Sequence, residues 1–540
     1  MSKNKYKYLK IIYTYLVMSR SLFADYFADK LRLYPSIASF LGDRHSDAHY
    51  EDAMSPEILS RSKELFQKYK EAIEAKQKKG HTLTMEDIAL SWEVKMGLEG
   101  LKFPFQQLSM NSFHNVVSDL AFGESQFYPH PSESRYHDYN VVLRTVIYNM
   151  KQGILSHNVL PQCICEKLIH AIQEFVDHKM CIKGTETVVS DILHFLKSEY
   201  LPVCRSTIGF YDLPHGKEMY RHLIREQTST NMTPEAIHEY GLKEVERLQT
   251  ALHRVQKTLG ETKHSDVKKK ESLFHFYQHM LANPDYICKT TPEIMKRYRD
   301  MQKRIKDTVW KDNFSYTLKQ DYHIKKVPKD MEESSAGAFY VPSSYKPGGF
   351  EGTFYVNTRN LHENPIYSMY SLSLHEGFHH YQSQYMIENK VPPYMIYGVS
   401  NNAYPEGIAL YAEELGDYSD PLEEFGFLTS AIFRAARLVV DTGIHWYGWT
   451  WKKAVDYMTH HVPLSADEII TEVERYICYP AQALCYSIGR KVFVENREKY
   501  LKAFPGDRMG YHTLILEDGL LPLHLISSKV DHAIKNHKSI

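Results

Sequence analysis

Apolar positions along most of the chain recur at three- and four-residue intervals, while alternating apolar and polar runs are scarce, so the pattern predicts a mainly α protein. Several helix starts are legible in side-chain chemistry. Thr233-Pro234-Glu235 and Thr291-Pro292-Glu293 each offer a hydroxyl for the N-cap, a proline for the first helical position and an acid in the first turn. Ser465-Ala466-Asp467-Glu468 reads as a capping box. Within the first of these helices Ile237, Leu242, Val245 and Leu248 form the predicted apolar stripe, and Glu235, Glu239, Lys243 and Glu246 the face toward water. A further helix is predicted between Pro405, which opens it, and Gly416, which closes it. One stretch departs from the helical habit. Ala338–Pro342 and Gly352–Val356 are aromatic and β-branched around Lys346-Pro347-Gly348-Gly349, which predicts a β-hairpin. Its edge could pair with an extended substrate or could simply cover the core.

A chain of 540 residues exceeds one small core. The expected organisation is an N-terminal segment of residues 1–20, a candidate for disorder, followed by a single helical catalytic domain of two interlocked lobes, approximately 21–325 and 326–540. The polar 260–272 stretch reads as a loop between lobes. Lys and Arg number 65 against 66 Asp and Glu, a net charge of −1, so no overall field draws nucleic acid or an anionic membrane. The lysine runs at 76–79 and 268–270 adjoin acidic and polar residues and read as solvated faces. Seven cysteines at irregular spacing suggest free thiols in a reducing compartment, and Cys163 with Cys165 lacks the second pair of a zinc ribbon. The basic Lys3–Lys10 stretch and the apolar Ile11–Met18 run mimic a secretory leader. Tyr13, Thr14 and Tyr15 inside the run, and Arg20 after it, argue against one. No 18-residue apolar stretch exists, so a cytoplasmic protein outside the membrane is expected, with its oligomeric state open.

The chemistry concentrates in His375-Glu376-Gly377-Phe378-His379, an HExxH motif between helical flanks. Residues four apart on a helix differ by about 40°, so His375 and His379 can present imidazoles to one metal ion, with Glu376 placed as a base. A chain with 29 histidines carries this pattern by chance about one time in ten, so a third ligand is needed to give it weight. Glu406, on the predicted helix after the motif, meets that need. Glu413, seven residues on and on the same face, suits a place behind a ligand, whereas Glu414 is expected to be solvated. Zinc, one ion per chain, is the expected cofactor.

At these residues the sequence resembles the family named domain of unknown function 885. The segments that carry the likeness are Thr228–Leu242, Glu406–Glu413, Arg434–His445 and Arg475–Tyr486 followed by Ile488-Gly489, and the likeness runs from about residue 20 to residue 500. By analogy the resemblance implies a large helical metallopeptidase-like fold, with a small hairpin or sheet beside the active-site helix, similar to thermostable carboxypeptidase and thimet oligopeptidase. The family usually inserts Pro-Gly between the HE pair and the His-His pair; here Phe378 runs directly into His379-His380. The ligand is therefore His379 or His380, and helix geometry favours His379, since His380 is rotated about 140° from His375. Ala481 stands where the family has Gly, and Ser487 where Lys is common.

Tyr486 is the first choice to steady an oxyanion, with Tyr476 and Tyr479 nearby as candidate substrate contacts. Arg434, Arg437, Asp441 and His445 fall at intervals of three and four, making one polar stripe. It is either a buried structural network or part of the site, with Arg437 holding a substrate carboxylate and His445 serving the oxyanion or a ligand. The expected function is a zinc-dependent hydrolase of short unstructured peptides, with Glu376, Tyr486 and His445 catalytic. The alternatives are a zinc hydrolase of a non-peptide amide or ester, and a catalytically silent binding protein.

Overall fold

The structure is a computed structural model describing residues 21–43, 46–127, 132–261, 272–329, 332, 337–345 and 351–536. The 1–20 segment and most of the 260–272 stretch lie outside the described residues. Helices dominate throughout, as the periodicity predicts. The chain divides into two compact units, one of residues 1–222 with Pro392–Val399, the other of Leu223–Val391 with Ser400–Ile540. The division thus falls at 222/223, not near 325, and the first unit is discontinuous in sequence.

In the first unit Leu22–Leu33 begins on Ser21, whose hydroxyl accepts from the Phe23 N–H. The helix packs on Pro56–Lys78 and Met85–Gly100. Lys30 pairs with the buried Glu93 at 2.7 Å. The returning segment docks here, with Tyr394 donating to Glu86 at 3.0 Å and its ring 5.4 Å from that of Phe23. A second core gathers Tyr139, Leu143, Leu168, Ile172, Val188 and Ile192 from three further helices.

The second unit is built on α1 (Pro234–Leu259), which lies along α5 (Pro421–His445). Thr233 caps α1 as expected. The stripe shifts by one position, however: Ile237, Val245 and Leu248 are buried, but Leu242 is 44% exposed and Gly241 takes its place. The reason is close approach, because a Cβ on Gly241 would stand 2.8 Å from Leu438 Cβ. α2 (Thr291–Ile305) starts one residue earlier than read, with Thr290 as the cap. The strands β1 (His323–Lys326), β2 (Ala338–Val341) and β3 (Thr353–Val356) form a sheet of order β1-β3-β2. β2 and β3 are antiparallel, pairing Ala338 with Val356; the 346–350 turn lies outside the described residues. β1 adds in parallel to β3, an unpredicted strand whose His-Ile-Lys-Lys sequence carries no strand signal.

α3 (Met369–Glu388) is buried along almost its whole length. It packs on α2 and on α4 (Ala403–Glu413), which in turn crosses α6 (Cys485–Ala503). The α4–α6 crossing is made backbone to backbone, since a Cβ on Gly407 would fall 2.3 Å from Gly489 Cα. Gly407→Ala must therefore push the helices apart, at about 1–3 kcal/mol. The variant should lose thermal stability to that extent, which a melting curve checks, and the separation of Glu406 from Tyr486, which ride on these two helices, should grow with it.

Candidate metal centre

α3 holds the imidazoles of His375 and His379 with ring centroids 5.0 Å apart and planes at 80°. α4 brings Glu406 to them, with Oε2 3.5 Å from His375 Nε2 and 3.7 Å from His379 Nε2. One ligand atom from each of the three lies within 4.8 Å of the others. A tetrahedral ion with bonds of about 2.1 Å separates its ligand atoms by about 3.4 Å, so the spacing fits a single ion. Two imidazoles and a carboxylate suit zinc, and tolerate manganese or cobalt.

His375 is fixed from behind. Its Nδ1 lies 2.9 Å from Glu413 Oε1, so Nδ1–H donates to that carboxylate and Nε2 is turned toward Glu406. Glu413 is completely buried and also accepts from Ser371 and, at 2.7 Å, from Ser430. Burial alone would lower the His375 pKa; the carboxylates of Glu406 and Glu413 override it and raise the value to about 9. Burial pushes Glu406 the other way, and hydrogen bonding to His375 and His379 brings it far below the usual carboxylate range. Glu413 is likewise held low against burial, by His375 and by Arg434. The site is thus charged and coupled around one point.

His380 faces elsewhere. Its Nε2–H donates to the Gln320 carbonyl and its Nδ1 accepts from the Tyr340 hydroxyl, both at 2.9 Å. Neither nitrogen remains for a metal, and burial drives its pKa down to about 4. Glu376, next to His375, is 8% exposed and makes no hydrogen bond among the described residues.

Tyr486, on α6, stacks nearly parallel to His375, with centroids 6.4 Å apart at 19°. Behind it the Arg437 guanidinium sits 4.7 Å from the Tyr486 ring centre and 4.2 Å from that of Phe433, and reaches Glu472 at 3.1 Å. The remaining candidates are placed differently. His445 is fully buried, and its Nε2–H donates to the Tyr476 carbonyl at 2.9 Å, leaving that hydrogen unavailable to an oxyanion. Tyr476 is itself 0% exposed, which removes it from substrate contact, and Tyr479 ends α7 (Ala466–Cys478) by donating its N–H to Arg475. The polar stripe of α5 is chiefly a clamp. Arg437 holds Glu472, Asp441 accepts twice from the Ala481 N–H at 3.1 Å, and His445 holds Tyr476. Ala481 needs that hold, since its φ of +70° is left-handed, a region costing a non-glycine residue about 1–2 kcal/mol. Gln482 accepts from Arg475 at 2.9 Å. Glu414, expected in solvent, pairs with Arg490 in a half-buried bridge. Arg475 and Glu472 escaped notice because nothing in their spacing separates them from other i, i+3 charge pairs.

Residues 183–530 match the family described as "Bacterial protein of unknown function (DUF885)". The chain belongs to this family. The DUF885 match takes in the whole metal cluster, Tyr486 and the arginines behind it, and begins well after residue 20. No curated protein matches the sequence. The fold of this DUF885 chain recurs in a "putative lipoprotein" from Colwellia psychrerythraea, with TM-score 0.73 and 20% identity over 88% of this chain and 92% of that one. It recurs also in a "putative lipoprotein of unknown function" from Shewanella oneidensis, with TM-score 0.69 and 15% identity over 94% and 98%. Among the described residues no helix is long and apolar enough to cross a membrane.

Proposed function

We propose that this chain is a metal-dependent hydrolase of short unstructured peptides, with one zinc ion held by His375, His379 and Glu406. The observation that carries the reading is the convergence of those three side chains at coordination spacing, with Glu413 fixing the His375 tautomer. When bound, the ion supplies Lewis acidity toward water and the scissile carbonyl. Glu376, unbonded and one residue from a ligand, takes the proton of the attacking water and returns it to the leaving nitrogen. Tyr486, whose hydroxyl accepts from Arg475 Nη2 at 3.4 Å, donates its own hydrogen to the developing oxyanion. β2 is an edge strand packed on α3, which suits an extended chain laid beside the cluster. The similarity to helical metallopeptidases is an analogy consistent with this chemistry.

Elemental analysis of protein purified without added metal should find about one zinc per chain. His375→Ala and Glu406→Ala should each empty the site and His380→Ala should not. A site filled in both His375→Ala and Glu406→Ala would defeat the proposal. Metallated protein that cuts esters or small amides but no peptide would move the substrate class, and a metal-free native protein would favour a silent binding role. The seven free cysteines support a reducing, cytoplasmic setting. The lipoproteins that share the fold make the cell envelope the alternative, and fractionation of the native protein separates the two.

A further inference from the structure

Two of the seven cysteines are held against each other within the first unit. There the helix Gln162–Asp177 begins beside the segment that follows Tyr200. Pro161 and Arg205 form a parallel bridge, in which the Arg205 N–H donates to the Leu160 carbonyl at 3.2 Å and the Gln162 N–H to the Arg205 carbonyl at 2.9 Å. Tyr200 adds a tie, its hydroxyl accepting from the Leu160 N–H at 2.9 Å, and the Arg205 side chain adds another, its Nε–H donating to the Val159 carbonyl at 2.9 Å. Cys165 stands one helical turn beyond Pro161, to whose carbonyl its N–H donates at 3.0 Å, and Cys204 immediately precedes Arg205. The bridge thus brings the two thiols into hydrogen-bond contact. Both pack on the core that holds Leu168, Ile172 and Val188.

A free cysteine in a core behaves as a small hydrophobe, so packing accounts for one buried thiol but not for a facing pair. The two differ in access. Cys165 is 0% exposed, whereas Cys204 is only half-buried. A reagent reaches Cys204, and Cys165 waits behind it.

We infer that Cys165 and Cys204 are a modification site, which a small-molecule disulfide oxidises to an intrachain disulfide that pins the start of the Gln162–Asp177 helix to the 200–205 segment. Cys204 gives up its proton and its sulfur attacks one sulfur of the reagent; that S–S bond breaks and the first thiol leaves with a proton. Cys165, losing its proton in turn, attacks the Cys204 sulfur, and the second thiol leaves. Two protein thiols are oxidised and one disulfide is reduced to two thiols. Contact with Cys165, and then burial, raise the Cys204 thiol well above its ordinary range, so the first attack is slow. The same property makes Cys204 a poor leaving group afterwards, so the bond forms slowly and lasts. It closes a loop of about 40 residues around the helix Glu186–Phe195, which restricts the unfolded chain and should raise the melting temperature by about 5–10 °C.

The test uses the full chain in its reduced form, equilibrated with glutathione disulfide, quenched with acid, alkylated in denaturant and digested without reductant. Mass spectrometry should find the Cys165 and Cys204 peptides joined, and the oxidised protein should melt above the reduced one by the stated margin. Cys165→Ala should abolish that gain and leave Cys204 as a mixed disulfide with glutathione, while Cys163→Ser should alter neither the linkage nor the gain. Cys165 and Cys204 both alkylated as free thiols at equilibrium, or Cys204 joined to Cys163 instead, overturns the inference. The mass reading on the parent chain decides this even where Cys165→Ala fails to fold. A bond that forms without moving the melting temperature overturns the pinning.

Discussion

Glu376→Gln should keep its metal and lose about two to four orders of magnitude in kcat. The expectation follows from where the carboxylate stands. It is no part of the three-residue cluster, it carries no hydrogen bond that the fold requires among the described residues, and the amide has nearly its shape. What the amide lacks is a basic oxygen to take a proton from water. Metal content, melting temperature and KM should therefore stay near the parent values while turnover collapses. Undiminished hydrolysis would remove Glu376 from the mechanism; loss of zinc would make it a ligand.

The second large effect belongs to Glu413, which touches no substrate. Glu413→Gln keeps an acceptor for His375 but loses the charge that strengthens its donation, and metal affinity should fall about 10–100-fold in chelator competition. Glu413→Ala goes further. It leaves Ser371, Ser430 and His375 without their acceptor and Arg434 without its counter-charge, all around a fully buried position, and should cost about 3–5 kcal/mol of stability. The neighbouring Glu414→Gln loses only a half-buried pair with Arg490 and should leave zinc affinity unchanged. A Glu413→Gln protein with parental affinity would show that orientation of His375 is set by the helix alone.

How much of this was legible depended on how local the signal is. The α1 and α7 caps are short-range hydrogen-bond chemistry and stand where the residues place them. The spacing of His375, His379 and Glu406 was also readable, because helical geometry converts residue intervals into directions. Leu242 misled because a hydrophobic residue is assigned inward by type, whereas the register of α1 on α5 is decided by Gly241 touching Leu438, a contact invisible in one sequence. β1 was missed because polar strands owe their place to a neighbour's backbone. The sequence left His445 and Tyr476 undecided, because a polar side chain in a buried helix reads the same whether it serves a substrate or another segment. Only its partner, here the main chain of the 476–481 stretch, tells the two apart.

The return of Pro392–Val399 to the first unit bears on synthesis as well as on architecture. These eight residues fall between α3, which bears His375 and His379, and α4, which bears Glu406. As the chain leaves the ribosome, residues 21–222 emerge without Tyr394 to cover Phe23 or to bond Glu86. The first unit thus stays incomplete until α3 has been translated, and its final closure anchors the very connection that joins the two ligand-bearing helices. The N-terminal unit, begun first, would then finish only after α3, with two of the three residues of the candidate metal cluster, has been made.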